Sequence, residues 1–226
     1  MKIRAVLFDL DGTLTKFNLD YRSARVKITE ELNKLNLGEF KPEEGLTLNA
    51  MLNRVQGKIP DEEFTRLLGR IHSIMEEYEL ESAERTELLP HARETLQTLK
   101  DNGLKTAVVT NNGRAAANVA INRFNLSPLI DILVTREDAS RWKPEGATVK
   151  EALKKLKVRP KEAVFVGDST IDVLAAQDSK VVSVAIPTGP TKTRDLLSTA
   201  PDYVIPSLAE FPSLLDRLRT DVSKKR

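Results

Sequence analysis

The sequence contains no cysteine, which excludes disulfide bonds, thiolate metal sites and thiol nucleophiles. It also lacks an apolar run approaching the roughly 20 residues of a membrane-spanning helix, and its N-terminus has no signal-peptide pattern. The 35 basic and 33 acidic residues nearly balance, so no net charge draws the chain to nucleic acid or to a membrane surface. We therefore expect a soluble, cytoplasmic protein with neither of those partners. A monomer or a homodimer is expected, although none of these features selects between the two.

Short apolar runs alternate with helical patterns over most of the 226 residues, a length that suffices for one core with a smaller insertion. The apolar runs predict strands at Ala5–Phe8, Leu104–Thr110, Ile130–Val134, Ala163–Val166, Val181–Ile186 and Tyr203–Ile205. A helix from Pro90 to Lys100 is predicted before the second of these strands. Strands that alternate with helices are typical of an α/β fold, in which helices cover both faces of a parallel sheet.

Residues 20–87 interrupt this alternation, because they show helical periodicity without a convincing strand. Asp20 is a suitable cap for a helix to about Leu35, and Pro42 and Pro60 open two further helices. We therefore predict two parts, which are an α/β core at 1–16 and 88–226 and a helical insertion at 17–87.

The first predicted strand ends in Asp9-Leu10-Asp11-Gly12-Thr13, at the edge where an open parallel sheet binds ligands. Asp9 and Asp11 repel each other unless a cation or a shared proton compensates, and Mg²⁺ is the usual cation for oxygen ligands. A carboxylate beside Mg²⁺ can also act as a nucleophile toward phosphorus. A plain Asx-rich turn is the alternative that this segment alone leaves open.

Three further segments place polar groups near predicted strand ends. Thr110-Asn111 offers a hydroxyl and backbone N–H groups to a phosphate, although a helix N-cap explains the pair better when it is taken alone. Lys143, before Pro144, suits a phosphate oxygen, yet in isolation it is an ordinary surface lysine. Asp168 and Asp172 suit a Mg²⁺ site, and the alternative is that they favour the helix dipole.

Together, the segments Asp9-x-Asp11-Gly12-Thr13, Thr110-Asn111, Lys143-Pro144 and Gly167-Asp168-x-x-x-Asp172 resemble the four motifs of the haloacid dehalogenase superfamily. The resemblance covers essentially the whole chain. It implies a Rossmann-like parallel-sheet core with an inserted α-helical cap, as in phosphoglycolate-phosphatase-like and β-phosphoglucomutase-like members. Gly146 stands where this family often has a second proline after the lysine, which we expect to loosen that loop slightly.

The same resemblance implies a role for each motif residue. Asp9 is expected to be the nucleophile and a Mg²⁺ ligand. Asp11 is expected to protonate the leaving oxygen, later activate water, and give Mg²⁺ its backbone carbonyl. The remaining expected roles are phosphate binding by Thr110, Asn111 and Lys143, and Mg²⁺ binding by Asp168 and by Asp172, the latter directly or from further out.

These roles favour a Mg²⁺-dependent phosphatase that hydrolyses a small phosphorylated metabolite through an aspartyl-phosphate. A sugar phosphomutase and a catalytically idle binding protein are the alternatives, and a dehalogenase is less favoured because it needs neither Asp11 nor the Mg²⁺ carboxylates. The cap residues Tyr21, Arg22, Arg25 and Arg54 are candidates for the far end of a substrate, although a solvated helix face explains any one of them better.

Overall fold

The computed structural model describes residues 2–41 and 48–220, so the predicted helix start at Pro42 and the last six residues lie outside the described part. The chain divides into two compact units, one formed by Met1–Asn18 with Ala83–Arg226 and the other by Leu19–Ser82. The predicted division at residues 17–87 differs from these bounds by a few residues at each end.

Six parallel strands form one sheet in the described part of the first unit, in the order β3-β2-β1-β4-β5-β6. Their bounds are β1 Ala5–Phe8, β2 Lys105–Val109, β3 Ile132–Val134, β4 Ala163–Gly167, β5 Val182–Ala185 and β6 Tyr203–Val204. Phe8 at the end of β1 pairs in register with Val108 of β2 and Val166 of β4. The predicted α/β fold with a parallel sheet is confirmed.

Helices of this unit pack around the sheet, and they are α4 Ala92–Asp101, α5 Arg114–Arg123, α6 Ala147–Leu156, α7 Thr170–Asp178, α8 Thr193–Ser198 and α9 Phe211–Thr220. All four residues of β1 are buried because strands lie on both sides of it in the sheet and helices cover it. The Phe8 ring meets that of Phe211 edge-on at 5.8 Å, while Leu7 and Phe165 belong to one buried apolar cluster.

The second unit is helical, as the periodicity of residues 20–87 predicts. It contains α1 Tyr21–Asn33, α2 Leu48–Val55 and most of α3 Asp61–Arg85. The Asp20 side chain caps α1 by accepting a hydrogen bond from the backbone N–H of Ser23 at 3.0 Å. No helix within the described residues is long and apolar enough to cross a membrane.

The predicted helix at Pro90–Lys100 instead begins two residues later, at Ala92. His91 adopts a left-handed conformation with φ of 64°, which is incompatible with a helical residue, and it stands at the N-cap position without a side-chain capping bond. The predicted start of this helix was therefore wrong, because a hydrophobic pattern does not reveal that the backbone of a histidine is left-handed.

The sheet order places the reversal of chain direction between β1 and β4. The chain moves outward from β1 through β2 to β3, crosses back to β4, and continues to β6 at the opposite edge. In open α/β sheets, ligands bind outside the carboxyl ends of the strands at such a switch point. Asp9 follows β1 and Asp168 follows β4, so the switch point lies between these two carboxylates.

A buried acid, Glu162, lies at the amino ends of the strands, where it connects the residues that precede β1 and β4. Its side chain accepts hydrogen bonds from the side chain of Arg159 at 2.7 Å and from the backbone N–H of Arg159 at 2.9 Å. The Arg4 guanidinium lies 3.8 Å away. The bonds from Arg159, with a smaller contribution from Arg4, lower the pKa of Glu162 from its ordinary value to about 2.

We expect Glu162→Gln to remove a pH-dependent part of the stability. Because the folded-state pKa is depressed, the stabilisation by Glu162 is complete above its unfolded pKa of about 4.5 and is lost as the pH falls toward 2. Urea unfolding of both proteins from pH 7 to pH 2.5 measures this difference. The two curves should converge at the acid end, and a gap that stays constant with pH would contradict the assignment.

Candidate active site

A buried lysine bridges two carboxylates at the carboxyl edge of the sheet. The Lys143 ammonium donates hydrogen bonds to Asp9 Oδ1 at 2.5 Å and to Asp172 Oδ1 at 2.7 Å. Asp9 is held at the end of β1 by its backbone N–H, which donates to the Val166 carbonyl at 2.9 Å. The structure therefore brings Lys143 to the strand end that carries Asp9, 134 residues away in the sequence.

Three carboxylates form a cluster beside this lysine. Asp9, Asp168 and Asp172 each offer one oxygen atom, and these atoms lie within 4.8 Å of one another. The residues are only 8%, 2% and 1% exposed, respectively. When all three carboxyl groups are ionised, their charge exceeds that of the one ammonium group, and their oxygens are the donor type that Mg²⁺ takes.

Asp168 is packed closely against Gly12 and Thr13. The Thr13 hydroxyl donates to Asp168 Oδ1 at 2.9 Å, and Oδ2 accepts no hydrogen bond from the described residues. Gly12 has φ of +90°, and a Cβ atom there would lie 2.4 Å from Asp168 Oδ2. Glycine is required at this position for both reasons, so the turn after β1 and the carboxylate after β4 fit each other sterically.

Asp172 combines two of the interpretations that the sequence leaves open. It completes a capping box with Ser169 at the start of α7, because its Oδ2 accepts hydrogen bonds from the Ser169 backbone N–H at 3.0 Å and from the Ser169 hydroxyl. Its Oδ1 accepts from Lys143. Both oxygens therefore already have donors, whereas Asp9 uses only Oδ1 in this way.

Asp11 lies at the rim of this cluster, and both of its oxygens are held. Oδ1 accepts from the Thr15 hydroxyl at 2.9 Å, and Oδ2 accepts from the Asn112 side-chain amide at 2.5 Å. Sequence reasoning missed Asn112 and the contact of Thr15. The run of polar residues after β2 was the available signal for Asn112, but only the fold indicates which of them reaches Asp11.

The loop after β2 contains Thr110 and Asn111. Thr110 is buried, and its hydroxyl accepts from the backbone N–H of Asn112 at 3.1 Å. The Asn111 carboxamide makes two hydrogen bonds to the backbone of Lys143. It donates to the Lys143 carbonyl at 3.0 Å and accepts from the Lys143 N–H at 3.0 Å. The Asn111 side chain thus joins the loop after β2 to the residue that bridges the carboxylates.

Gly146, where the sequence predicts a slight loosening of the loop that carries Lys143, is held by two hydrogen bonds. The Lys143–Pro144 peptide bond is cis. The Gly146 backbone N–H donates to Asp178 Oδ2 at 2.9 Å, and its carbonyl accepts from the Ser179 hydroxyl at 3.0 Å. A Cβ atom at Gly146 would lie 2.1 Å from that hydroxyl oxygen. The C-terminal end of α7 therefore approaches Gly146 too closely for a side chain at this position.

Burial dominates the acid–base properties of the cluster. It raises the pKa of Asp168 to about 9, with further increases from the charges of Asp172 and Asp9. It also raises the pKa of Asp9 to about 7, against the opposing effect of the Lys143 ammonium. Burial raises the pKa of Asp11 as well, and the hydrogen bonds from Asn112 and Thr15 oppose that rise. These carboxylates are costly to ionise unless more positive charge enters the site.

Lys143 stays charged in this environment. Burial alone lowers the pKa of an ammonium group, but the carboxylates of Asp172 and Asp9 outweigh that effect and raise the pKa of Lys143 above its ordinary value. One ammonium group balances one of the three carboxylates, and a divalent cation suits the remainder. On the chemistry of these donors, the site fits Mg²⁺.

We expect Asn111→Ala to lower activity by displacing Lys143, with a moderate loss of stability. Two partly buried hydrogen bonds are removed, each contributing about 0.5–1.5 kcal/mol. Steady-state kinetics and urea unfolding measure the two effects, with the exposed Asn122→Ala as a control that should leave the kinetics unchanged. The prediction fails if Asn111→Ala loses stability but keeps the wild-type kcat.

The fold and the site define a Rossmann-like α/β enzyme with a buried carboxylate centre suited to a divalent cation. The sequence profile of haloacid dehalogenase-like hydrolases matches residues 6–186. The chain belongs to this family, which confirms the resemblance seen in the four motifs and the prediction of a hydrolase.

Relatives and solved structures match along almost the whole chain. A Caldanaerobacter subterraneus protein provisionally named pyrophosphatase PpaX is 35% identical, over 95% of this chain and 96% of its own. Pyrophosphatase PpaX of Bacillus mycoides is 28% identical, over 96% and 99%. A hydrolase structure from Pseudomonas syringae has a TM-score of 0.68 at 26% identity, covering 95% of this chain and 98% of its own.

Proposed function

We propose that the protein is a Mg²⁺-dependent phosphatase that acts on a small phosphorylated metabolite through a phosphoaspartate at Asp9. The observation that carries this proposal is the asymmetry of the Asp9 carboxylate. Lys143 holds Oδ1, while Oδ2 accepts no hydrogen bond from the described residues. An oriented carboxylate with one open oxygen at the switch point is arranged as a nucleophile.

In the first half of the reaction, Asp9 Oδ2 attacks the phosphorus atom and the bond from phosphorus to the leaving oxygen breaks. Asp11 donates its proton to that oxygen, so the leaving group departs neutral. Burial raises the pKa of Asp11, which is the direction that a general acid requires. Thr15 and Asn112 fix the orientation of the carboxyl group.

In the second half, a water molecule attacks the phosphorus atom, Asp11 accepts the water proton, and Asp9 leaves as a carboxylate. Free phosphate is the product, and both side chains return to their starting states. Thr110 and the backbone N–H of Asn111 bind the phosphoryl oxygens in this proposal. Lys143 neutralises charge on these oxygens and on Asp9. Neutralisation of charge and positioning together supply most of the catalysis in phosphoryl transfer.

We infer that Asp9 and Asp168 are the direct carboxylate ligands of Mg²⁺. Asp168 offers Oδ2, which accepts no hydrogen bond from the described residues, and Asp9 offers Oδ1 beside Lys143, which leaves its Oδ2 for the attack on phosphorus. Asp172, with both oxygens engaged, holds Lys143 and supports the ligands from further out. The family resemblance adds the Asp11 backbone carbonyl. When bound, the ion neutralises negative charge on the transferring phosphoryl group.

A phosphate-release assay with Mg²⁺ tests this proposal on pyrophosphate, phosphoglycolate, sugar phosphates and nucleotides. Pyrophosphate comes first because the relatives from Caldanaerobacter subterraneus and Bacillus mycoides carry the name pyrophosphatase. We expect EDTA to abolish release, and Asp168→Asn to raise the Mg²⁺ concentration for half-maximal rate by about 10–100-fold. The exposed Asp61→Asn is the matched control and should behave as wild type.

Three results would contradict the proposal. Phosphate release that persists in EDTA would exclude the metal, and transfer of the phosphoryl group to a second hydroxyl without free phosphate would identify a mutase instead. Lack of hydrolysis across the whole panel would favour an idle binding protein.

A further inference from the structure

The loop after β5 reaches the turn that follows β1. Its Thr188 hydroxyl donates a hydrogen bond to the Gly12 carbonyl at 2.5 Å, across 176 positions of the sequence. The start of the loop is also fixed, because the Ile186 backbone N–H donates at 2.9 Å to the carbonyl of Gly167, the last residue of β4. The loop therefore lies at the edge of the sheet that carries the candidate active site.

Gly189 in this loop packs directly against the carboxyl group of Asp168. A Cβ atom at Gly189 would lie 1.7 Å from Asp168 Oδ2 and 2.5 Å from its Cγ, so there is no space for one. Gly12 approaches the same group, since a Cβ atom there would lie 2.4 Å from Oδ2. Two glycine backbones from separate loops thus contact one buried carboxylate, and the Thr188 hydroxyl joins these two loops.

The two glycines are needed for different reasons. Gly12 has a left-handed backbone with φ of +90°, which favours glycine whatever surrounds it. The φ of Gly189 lies outside the left-handed region, so the backbone conformation alone does not select glycine there. The three atoms nearest to a Cβ at Gly189 all belong to the side chain of Asp168. Contact with that side chain is therefore the reason for glycine in the loop after β5.

The Asp168 carboxyl group is oriented more by packing than by hydrogen bonds. The Thr13 hydroxyl holds Oδ1 at 2.9 Å, whereas Oδ2 accepts no hydrogen bond from the described residues. Rotation about the bond from Cβ to Cγ is broad in aspartate, so a single hydrogen bond leaves the group freedom to swing. The two glycine backbones restrict this rotation without placing a donor on Oδ2. By contrast, donors engage both oxygens of Asp172.

An oxygen that is oriented but free of donors suits a cation ligand. A donor on Oδ2 would compete with the cation for the lone pairs of this atom, and a freely rotating carboxyl group would lose entropy on binding. The loop itself offers few donors, because Pro187 and Pro190 lack a backbone N–H and that of Thr188 donates to the Ile186 carbonyl at 2.9 Å. Steric contact therefore replaces hydrogen bonding as the means of orientation.

We propose that the loop after β5 positions the Asp168 carboxyl group to bind Mg²⁺. Gly189 orients the group by contact, and Thr188 holds the loop against Gly12, so that both glycines meet the same carboxylate. Both loop residues are positioning residues, which act through Asp168 and do not touch the substrate. The identity of the ion rests on the proposed function, whereas the orientation of Asp168 by the loop does not.

Calorimetric titration of the full chain with Mg²⁺, without substrate, measures this role independently of turnover. Gly189→Ala should bind Mg²⁺ about 10–100-fold more weakly than wild type, which is the usual effect of altering the partners that support a metal ligand. Thr188→Val removes the hydroxyl and should also bind more weakly, whereas Thr188→Ser keeps it and should stay close to wild type. Gly69→Ala is the matched control and should bind as wild type, because a Cβ atom there meets nothing within 4 Å.

Thermal unfolding in EDTA separates contact with Asp168 from general damage to the loop. Gly189→Ala should lower the melting temperature by a few degrees, because the added methyl group overlaps the carboxyl group. In an Asp168→Ala background the carboxyl group is gone, so the same substitution should lower the melting temperature much less. An equal effect in both backgrounds would overturn the proposal. If Gly189→Ala does not fold, the Mg²⁺ affinities of Thr188→Val and Thr188→Ser decide the question.

Phosphate-release kinetics distinguish this role from the proposed function. The Mg²⁺ concentration for half-maximal rate should rise in Gly189→Ala by a factor similar to the loss of Mg²⁺ affinity, and saturating Mg²⁺ should bring kcat back toward wild type. Wild-type Mg²⁺ affinity in both Gly189→Ala and Thr188→Val would overturn the positioning role and leave the phosphatase in place. If wild type binds Mg²⁺ but hydrolyses nothing in the panel, the proposed function fails while the titration still decides the role of the loop. Lack of Mg²⁺ binding by wild type would overturn both.

Discussion

Replacing Asp9 with asparagine should reduce phosphate release by at least about 10³-fold without unfolding the protein. An amide oxygen is a poor nucleophile toward phosphorus, and asparagine offers one oxygen where the carboxylate has two. The fold should persist because Lys143 keeps its hydrogen bond to Asp172, and because asparagine has nearly the same volume as aspartate. Initial rates with Mg²⁺, together with circular dichroism and thermal unfolding, measure both parts of this expectation.

Asp101→Asn is the matched control, because it makes the same chemical change at an exposed residue of the same unit. Its rate should match wild type within experimental error. If Asp9→Asn folds and still turns over at a rate close to wild type, Asp9 is not the nucleophile and the mechanism proposed above is wrong.

Lys143→Met should have the second-largest effect, on both activity and stability. Lys143 is 3% exposed and is the ammonium partner of Asp9 and Asp172. Removing one partner from a buried ionic cluster leaves charge uncompensated, at a cost of about 3–5 kcal/mol in the free energy of unfolding. We expect kcat to fall by about 10²-fold or more, since the ammonium also neutralises charge on the transferring group.

Urea unfolding at pH 8 in EDTA measures the stability part of that expectation, and Mg²⁺ should restore some of the loss because it supplies positive charge to the same carboxylates. The loss should also shrink as the pH falls, since protonated carboxyl groups no longer need the ammonium. Lys150→Met removes an exposed ion pair with Asp178 and should change stability by less than about 1 kcal/mol. If Lys143→Met loses no more stability than Lys150→Met does, the bridging role of Lys143 is contradicted.

The positions of the site residues could be predicted from the sequence because two rules act together. Short apolar runs gave the strands, and carboxyl ends of parallel strands meet at one edge of a sheet. Asp9, Thr110 and Asp168 each follow such a run. The strand ends differed from the predictions by only one or two residues, as at Val182–Ala185 for a predicted Val181–Ile186.

Side-chain partners could not be predicted in the same way, because they depend on distances between remote segments. Thr13 bonds to Asp168 across 155 positions, and Asn112 bonds to Asp11 across 101. The motif pattern suggested Asn111 as a phosphate ligand. In the structure its carboxamide instead makes two hydrogen bonds to the Lys143 backbone. A pattern identifies which residue types gather at an edge, but packing decides which atoms meet.

Arg25 illustrates the same limit in the helical unit. Helical periodicity placed it on α1 together with Arg22, and nothing in the pattern separates the two. Arg25 is buried whereas Arg22 is exposed, and only the coordinates show that the Nε and Nη2 atoms of Arg25 are buried without an acceptor among the described residues.

Trapping of the covalent intermediate tests the central claim most directly. The enzyme is quenched in acid during turnover with Mg²⁺ and substrate, treated with borohydride, and digested for peptide mass spectrometry. A phosphoaspartate is an acyl phosphate, which borohydride reduces to the alcohol, so the account predicts homoserine at position 9 and unmodified aspartate at positions 11, 168 and 172. Turnover that leaves Asp9 unmodified under these conditions, or homoserine at another of these positions, would contradict it.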